Sequence, residues 1–288
     1  MVIVNHNTRE YLLGLLESLA PELAGIHHEI FVVDNASNDG SVGVVRDRFP
    51  QTQLIVNQEN LGFARANNLA LRRARGGQVM LLNPDTVVRP GAIALLRGGL
   101  RVLPQAVAVG PKVIRPDGRL DLACRRSFPS PGVALARLSG LSKLFKRSKV
   151  LARYNRTFED PDAPGEMDSG TAAAMCFQKE ALDAVGYFDE AFFMYGEDLD
   201  LCYRLKQRGG RIYYLPDAVV IHYKGASSGQ RPRPMLREFH RAMWRFYLKH
   251  YARGWRRVAA PAVWLAIQGR YGLVLAGNRL RGRQVVSP

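Results

Sequence analysis

The stretch EIFVVDNASNDGS, residues 29–41, decides the fold. An apolar, β-branched run stops at Asp34, and Asn35 to Ser41 supply Asn, Asp, Ser and Gly. Such a run bounded by turn residues predicts a short buried strand that closes into a turn and then a helix. The same alternation repeats outward from it. Upstream, residues 2–4 predict a strand, and Tyr11, Leu12, Leu15, Leu16 and Leu19 fall at helical spacing over 8–20, with Thr8 as N-cap. Downstream, TQLIVNQ (52–58), QVMLLNPD (78–85) and VAVGPKVI (107–114) read as strands. GFARANNLALRRARG (62–76), closed by Gly76 and Gly77, and PGAIALLRGGLRVL (90–103) read as helices. This β-α-β-α order predicts an α/β fold, a mostly parallel sheet with helices on both faces and ligands outside the carboxyl ends of the strands.

Residues 119–166 break the rhythm. They are rich in Pro, Ser, Arg and Lys and read as a long mobile insertion with a basic helical piece. SGTAAAMCFQ (169–178) then resumes as a strand, KEALDAVG (179–186) as a helix, and RIYYLPDAVVIHY (211–223) as late strands. Residues 234–256 read as one long helix. In it Arg237, Arg241, Arg245, Lys249 and Arg253 recur every four residues, with Phe239, Met243, Phe246, Tyr247 and Tyr251 on the other side. That is the pattern of a cationic interfacial helix; the alternative is a helix packed on the core with a solvated basic face. VAAPAVWLAIQG (258–269) follows, and its Pro261 makes it read as interfacial or re-entrant, with no window of spanning length.

Composition narrows the classes. The 288 residues are 47% hydrophobic, enough for a sizeable core, and carry 41 Lys and Arg against 25 Asp and Glu, a net charge of +16. The excess is regional: residues 137–156 hold seven bases and no acid, and no acid follows Glu238. Nucleic acid, an anionic membrane surface and a phosphorylated substrate would all answer such charge. No helix-turn-helix, zinc spacing or RNP motif supports nucleic acid. Cys124, Cys176 and Cys202 have no metal or redox spacing and fit a reducing compartment. The apolar start, MVIV, is too short for a signal peptide. No GxGxxG follows the first strand, which disfavours a dinucleotide enzyme.

The polar residues stand at strand ends. Asn5, Asp34 and Asp85 close the first, second and fourth strands and fall on one sheet edge. A carboxylate there can hold a ribose, or a hard cation beside phosphate oxygens; the plainer alternative is turn formation. FDEAFFMYGEDLDLCYRL (188–205) gathers five acids between aromatic residues and a helix start. The helix dipole alone favours Glu197 and Asp198 there, but does not explain the aromatic loop before them. Asp189 and Glu190 read as local turn or cap residues, and Asp200 as the i+4 partner of Arg204 on an exposed face.

Six segments occur in order: VIVNHN (2–7), VVDNASNDGS (32–41), NLGFARANN (60–68), LLNPD (81–85), GYFDEAFFMYGEDLDLCYRL (186–205) and AVVIHYKGAS (218–227). Together they resemble the inverting family 2 glycosyltransferases of GT-A fold, in the rhamnosyltransferase-like branch that builds cell-surface polysaccharides. The resemblance implies a GT-A domain over residues 1–230, containing the 119–166 insertion, and a basic amphipathic helical tail over 231–288. It also implies a few residues ahead of the first strand, which here starts directly after Met1. It places Asn5, Asn7 and Asp34 around the nucleoside, and Asn60, Gly62 and Asn67 in the segment over the diphosphate, with Gly62 letting backbone approach the ligand. The usual Asp-x-Asp motif reads Asn83-Pro84-Asp85, which implies Mg²⁺ or Mn²⁺ on Asp85, with Asn83 a weaker neutral candidate. His222 matches a metal position of some relatives. Asp198 takes the role of base toward the acceptor hydroxyl, with Glu197 orienting it or binding acceptor hydroxyls. Thr171, in a segment that departs from the usual Gly-Ala form, becomes an acceptor-side candidate. The implied partners are a nucleotide-sugar donor (dTDP-rhamnose or a UDP-sugar), a lipid-linked saccharide acceptor and an anionic membrane surface at the cytoplasmic face of the plasma membrane, with no nucleic acid. Two alternatives stand beside this: an inactive membrane-bound assembly partner, and a basic nucleic-acid-binding protein.

Overall fold

The computed structural model describes residues 1–225 and 232–281. The last two residues of AVVIHYKGAS, the expected boundary at 230–231 and the end of the tail lie outside the described residues.

The first half of the chain builds a parallel unit. It runs β1 (Val2–Asn5), α1 (Arg9–Glu22), β2 (Phe31–Asn35), α2 (Ser41–Arg48), β3 (Gln53–Asn57), α3 (Phe63–Leu71), β4 (Gln78–Leu82). β1 pairs in parallel with both β2 and β4, and β2 with β3. The chain therefore moves outward from β1 to β3 and returns to the other side of β1. Such a reversal opens a crevice at the carboxyl ends of the central strands, where α/β sheets bind ligands. The continuous apolar runs of β2 and β4 reflect burial on both faces.

Then come β5 (Thr86–Val88), α4 (Ala92–Val102), β6 (Ala106–Ile114), α5 (Pro131–Leu138), α6 (Leu141–Leu144), β7 (Gly165–Met167), β8 (Ala174–Gln178), α7 (Lys179–Val185), α8 (Glu197–Gln207) and β9 (Arg211–His222). The sheet has nine strands in the order β3-β2-β1-β4-β8-β6-β9-β5, with β7 on β9. β8 lies antiparallel between β4 and β6. Leu12, Leu15 and Leu19 of α1 pack with Ile3, Phe31, Leu81 and Phe177 in the main core. Each such side chain contributes about 1.5–3 kcal/mol by burial, so apolar packing holds the sheet and leaves the crevice free for polar groups.

Several boundaries differ from the sequence expectation. α3 ends at Leu71 instead of Gly76, because the Glu29 carboxylate accepts the Arg75 and Gly76 amides and fixes that stretch as a loop. Thr8 occupies the N-cap of α1 as expected, its carbonyl accepting the Leu12 amide, but its side chain makes no cap bond and its hydroxyl donates to Asn5 Oδ1 at 2.7 Å instead. Residues 211–222 form one strand, whose pairing with β6 jumps from Leu215 to Val219 around Pro216, a residue that cannot donate to a ladder. The insertion is not loose at its start: Asp121, Arg125, Arg126 and Ser127 are buried, and Arg126 bridges to Ser169.

The tail forms α9 (Pro232–His250), a 3-10 turn (Gly254–Ala259) and α10 (Ala260–Arg281), so the expected single helix breaks after His250. The aromatic side of α9 packs on protein, with Phe246 and Tyr247 buried and Phe239, Met243 and Tyr251 half-buried. Phe246 and Ala242 join Phe192 and Leu199 in a second apolar cluster, with Phe128, Tyr195, Tyr203 and Tyr251 packed against it. Gly254–Leu280, 27 residues, is long and apolar enough to cross a membrane by length and composition, and its most apolar 18-residue stretch is only 6% buried. The sequence reading had put this stretch below that length by breaking it at Pro261. Pro261 instead lies in the first turn of α10, where no amide bond is lost.

Candidate active site

The parallel register sets Asn5 directly opposite Asp34. Asn5 Nδ2 donates to Asp34 Oδ1 at 3.0 Å and to Ser37 Oγ at 3.1 Å, while Asp34 Oδ2 accepts the Ser37 amide at 2.9 Å. Asn7, at φ 52°, accepts the Asn38 amide at 2.8 Å. These bonds tie the turn after β1 to the turn after β2. Asn35, read from sequence only as the start of a turn, organises the next loop. Its Oδ1 accepts the Leu61 amide at 2.9 Å, and its Nδ2 donates to Asn60 Oδ1 at 2.9 Å and to the Gly62 carbonyl at 3.2 Å.

Gly62 has φ +80°, and a Cβ there would stand 2.4 Å from the Phe193 carbonyl oxygen. A close approach that demands glycine here is to the loop before α8. The Phe63 amide donates to the same carbonyl at 2.7 Å. Asn67 is buried and donates to the Phe63 carbonyl of its own helix at 2.9 Å. Its neighbour Asn68, which sequence reasoning passed over, donates to the Phe188 carbonyl at 2.9 Å and accepts the Phe188 amide at 3.1 Å. A buried helical Asn needs such partners, and that was the available signal.

The second corner forms where β5 runs antiparallel to β9 with Thr86 opposite His222. This register brings His222 Nε2 to 3.1 Å from Asp85 Oδ1. On its other side Nδ1 lies 3.6 Å from Asp121 Oδ2, an electrostatic contact longer than a full hydrogen bond. Lys224 Nζ reaches both Asp121 oxygens at 3.1 Å. Burial lowers the imidazole pKa, but Asp121 and Asp85 more than offset this and hold it raised to about 9. Burial likewise raises the Asp121 carboxyl, yet His222 and Lys224 hold it below the ordinary carboxylate range. No motif in the sequence marks Asp121.

Asn83 Oδ1 is buried with no hydrogen-bond partner among the described residues. An orphan carbonyl oxygen, two residues before a carboxylate that touches an imidazole, offers the oxygen and nitrogen donors a divalent cation takes. The residues thus fit a metal. Among the described residues no group of three or more His, Cys, Asp or Glu forms a cage by itself, so a cation here would need further oxygen ligands from outside the chain. His222 would have to release its proton as the metal binds.

The third corner is the start of α8. Tyr195 (φ 70°) and Gly196 (φ 78°) both adopt the left-handed conformation, so the chain folds back and the helix begins abruptly at Glu197. Asp198 Oδ2 accepts from Arg126 Nη2 at 2.6 Å, and the same nitrogen donates to the Gly170 carbonyl. Burial disfavours the Arg126 charge, and Asp198 more than restores it, so its pKa lies above the ordinary value. Glu197 Oε2 is buried without a hydrogen-bond partner among the described residues. Burial first, and the Asp198 charge second, push the Glu197 pKa up to about 8. The two acids are therefore unlike: Asp198 is ion-paired, whereas Glu197 is buried without a partner among the described residues and its pKa is pushed up. Thr171 Oγ1 accepts the Ala173 amide at 3.3 Å in the turn before β8. The Asn83 amide donates to the Ala173 carbonyl at 2.9 Å, which joins this turn to the metal corner.

The other acids near α8 are tied internally. Asp200 pairs with Arg204 at 2.8 Å, but the expected exposed face is covered by α9: Asp200 is 0% exposed and also meets His250 Nε2 and Lys249 Nζ, each at 2.7 Å. Asp189 meets Lys249 at 2.6 Å, and Glu190 meets Arg72 at 2.7 Å.

A sequence profile described as "Glycosyltransferase like family 2" matches residues 1–240. The chain belongs to that family: it is a glycosyltransferase with the GT-A fold. It is 29% identical over 249 residues to the N-acetylglucosaminyl-diphospho-decaprenol L-rhamnosyltransferase of Mycobacterium tuberculosis, spanning 82% of this chain and 78% of that protein. It is 26% identical over 241 residues to the rhamnosyltransferase WbbL of Escherichia coli, spanning 77% of this chain and 82% of that one. Among solved structures, the mannosyltransferase PcManGT of Pyrobaculum calidifontis, in complex with GDP-Man and Mn²⁺, matches with a TM-score of 0.55 at 18% identity, over 96% of this chain and 74% of that chain. TarS of S. aureus gives 0.55 at 16% identity, over 94% and 70%. These two share the fold.

Proposed function

We propose that this glycosyltransferase moves rhamnose, with inversion, from a nucleotide diphosphate to a lipid-linked saccharide at the cytoplasmic face of the plasma membrane, in the synthesis of a cell-envelope glycan. The donor is dTDP-rhamnose, with a UDP-sugar as the alternative. The observation that carries the reading is the segment 121–126, which puts Asp121 on His222 and Arg126 on Asp198. One short stretch thus joins a metal corner to a pair of acceptor carboxylates.

In this reading Asn5, Asn7 and Asp34 frame the nucleoside. Asn60, Gly62 and Asn67 shape the segment over the diphosphate. Asp85, with Asn83 and His222, would hold Mg²⁺ or Mn²⁺, which when bound would supply positive charge to offset that of the departing nucleotide diphosphate. Asp198 accepts the proton of the acceptor hydroxyl as its oxygen attacks the anomeric carbon from the face opposite the leaving group. Arg126 shares or releases Asp198 at that moment, and Glu197, still protonated, donates a hydrogen bond to the acceptor. Thr171 lines the acceptor side. The regional positive charge serves the membrane, where each Lys or Arg near an anionic surface contributes roughly 1 kcal/mol. Trp255, Val258, Leu265, Leu273 and Leu280 are exposed along the turn and α10 and supply the apolar contact.

A thermal-shift panel tests this with dTDP-rhamnose, UDP-sugars, GDP-sugars and plain DNA, each with and without Mn²⁺ or Mg²⁺. One sugar nucleotide gives a metal-dependent shift, Asp85→Ala loses it, and Asp198→Asn keeps it while transfer stops. No shift with any sugar nucleotide, with a salt-sensitive shift from DNA, overturns the reading. Turnover retained in Asp198→Asn removes that residue as base.

A further inference from the structure

Lys224 stands two residues beyond His222, just past the end of β9. Its Nζ lies 3.1 Å from each oxygen of Asp121. The partners differ in depth: the Asp121 side chain is 3% exposed and that of Lys224 39%. The carboxylate is itself fixed, since its Oδ1 also accepts the Ala123 amide at 3.1 Å. A lysine is a point charge on a flexible stem, and here a buried carboxylate holds that charge in one place. An ammonium carries three donors, and the two Asp121 oxygens engage at most two of them. One N–H and an exposed flank are left for an acceptor from outside the chain.

The neighbours indicate which acceptor. Tyr223 donates its amide to the Asp85 carbonyl at 2.8 Å and sets its ring 5.5 Å from that of Tyr11, on the helix that follows Asn5. Asp121 opens the segment that reaches Asp198 through Arg126. Residues 222–224 thus join the turn after β1 to the segment that holds the acceptor carboxylates, and Lys224 is bonded to the second of these. Charge points the same way. Against a divalent cation the carboxylates of Asp85 and Asp121 would leave this corner neutral once His222 is deprotonated. Lys224 makes it positive, the sign a diphosphate requires, and a cation already held in position stabilises that charge without reorganising.

We propose that Lys224, held by Asp121, donates its remaining N–H to the terminal phosphate of the nucleotide-sugar donor, the phosphate that carries the sugar and departs with the nucleotide. The proposal rests on the nucleotide-sugar reading above and adds a phosphate-binding residue to it. Asp121 then acts on both sides of the corner, positioning His222 with one contact and Lys224 with two.

The test is calorimetric binding with Mn²⁺ in excess. UDP, dTDP and GDP are titrated into the full chain, and the tightest of them is compared with its monophosphate in wild type, Lys224→Gln and Lys224→Arg. Glutamine keeps a donor for Asp121 and removes only the charge. Lys224→Gln should weaken the diphosphate at least about tenfold while leaving the monophosphate, and the Mn²⁺ concentration it needs, within about twofold. Lys224→Arg should restore most of the diphosphate affinity. An unchanged diphosphate constant in Lys224→Gln overturns the proposal. So does a parallel loss of diphosphate and monophosphate, which would show that Lys224 serves only to hold Asp121 and the metal corner. In either case wild-type binding of the diphosphate leaves the transferase reading standing; if wild type binds none of the three diphosphates, that reading fails with it.

Discussion

Glu197→Gln should change how stability depends on pH. The folded protein holds the Glu197 carboxyl near pKa 8, against an ordinary value of 4.5, through burial and then the charge of Asp198. Between those values the unfolded chain has released the proton and the folded chain still binds it, so stability falls as pH rises across the window. At about 1.4 kcal/mol per unit, the step from pH 5 to pH 7 removes roughly 2–3 kcal/mol from the wild type. Glutamine has no proton to release, so the variant escapes this loss. Its amide replaces an oxygen that has no hydrogen-bond partner among the described residues, which adds an offset independent of pH. The slope is therefore the test. Melting temperatures of both proteins, without ligand, at pH 5, 6, 7 and 8 should show the variant gaining about 4–6 °C on the wild type between pH 5 and 7. Parallel curves would refute the argument and show Glu197 ionised or solvated in the fold.

Three further outcomes follow from the same geometry. Arg126→Met strands Asp198 in a buried site and should cost about 3–5 kcal/mol in denaturant unfolding, much of it restored by adding Asp198→Asn; a loss under about 1 kcal/mol would mean the pair is solvated. Asp121→Asn loosens the hold on His222 and should weaken Mn²⁺ binding to the nucleotide-loaded protein by about 10- to 100-fold in calorimetric titration, and an unchanged constant would remove Asp121 from the metal site. Gly62→Ala meets both a positive φ and the Phe193 carbonyl, and should lower stability by about 1–3 kcal/mol with poorer nucleotide binding; unaltered melting would deny that contact.

The strand-end residues were legible because parallel strands align their ends: reading Asn5 and Asp34 as closing neighbouring strands already puts them side by side. The Glu197–Asp198 pair was legible from the aromatic loop and glycine ahead of it. Arg126 and Asp121 were not, because they sit in a stretch without apolar periodicity. Arg126 meets Asp198 from 72 residues away, a pairing that no local pattern encodes. Periodicity shows that α9 has an aromatic face but not what covers it, and Phe246 packs with Phe192 and with Leu199 of α8. The length of α10 was lost for a simpler reason: a proline in the first turn looks in sequence like a break.

The carboxylate of Asp200 is enclosed by Arg204 of its own helix and by Lys249 and His250 of α9. Burial opposes its charge, but His250, then Arg204 and Lys249, hold its pKa down to about 2. A chain cut ahead of α9 would leave that anion with Arg204 alone and an unlined hole where Lys249 and His250 stood. The helix that aims Glu197 and Asp198 is bolted to the helix that bears the tail's positive charge. Any displacement of α9 is then also a displacement of the start of α8, and with it of Glu197 and Asp198.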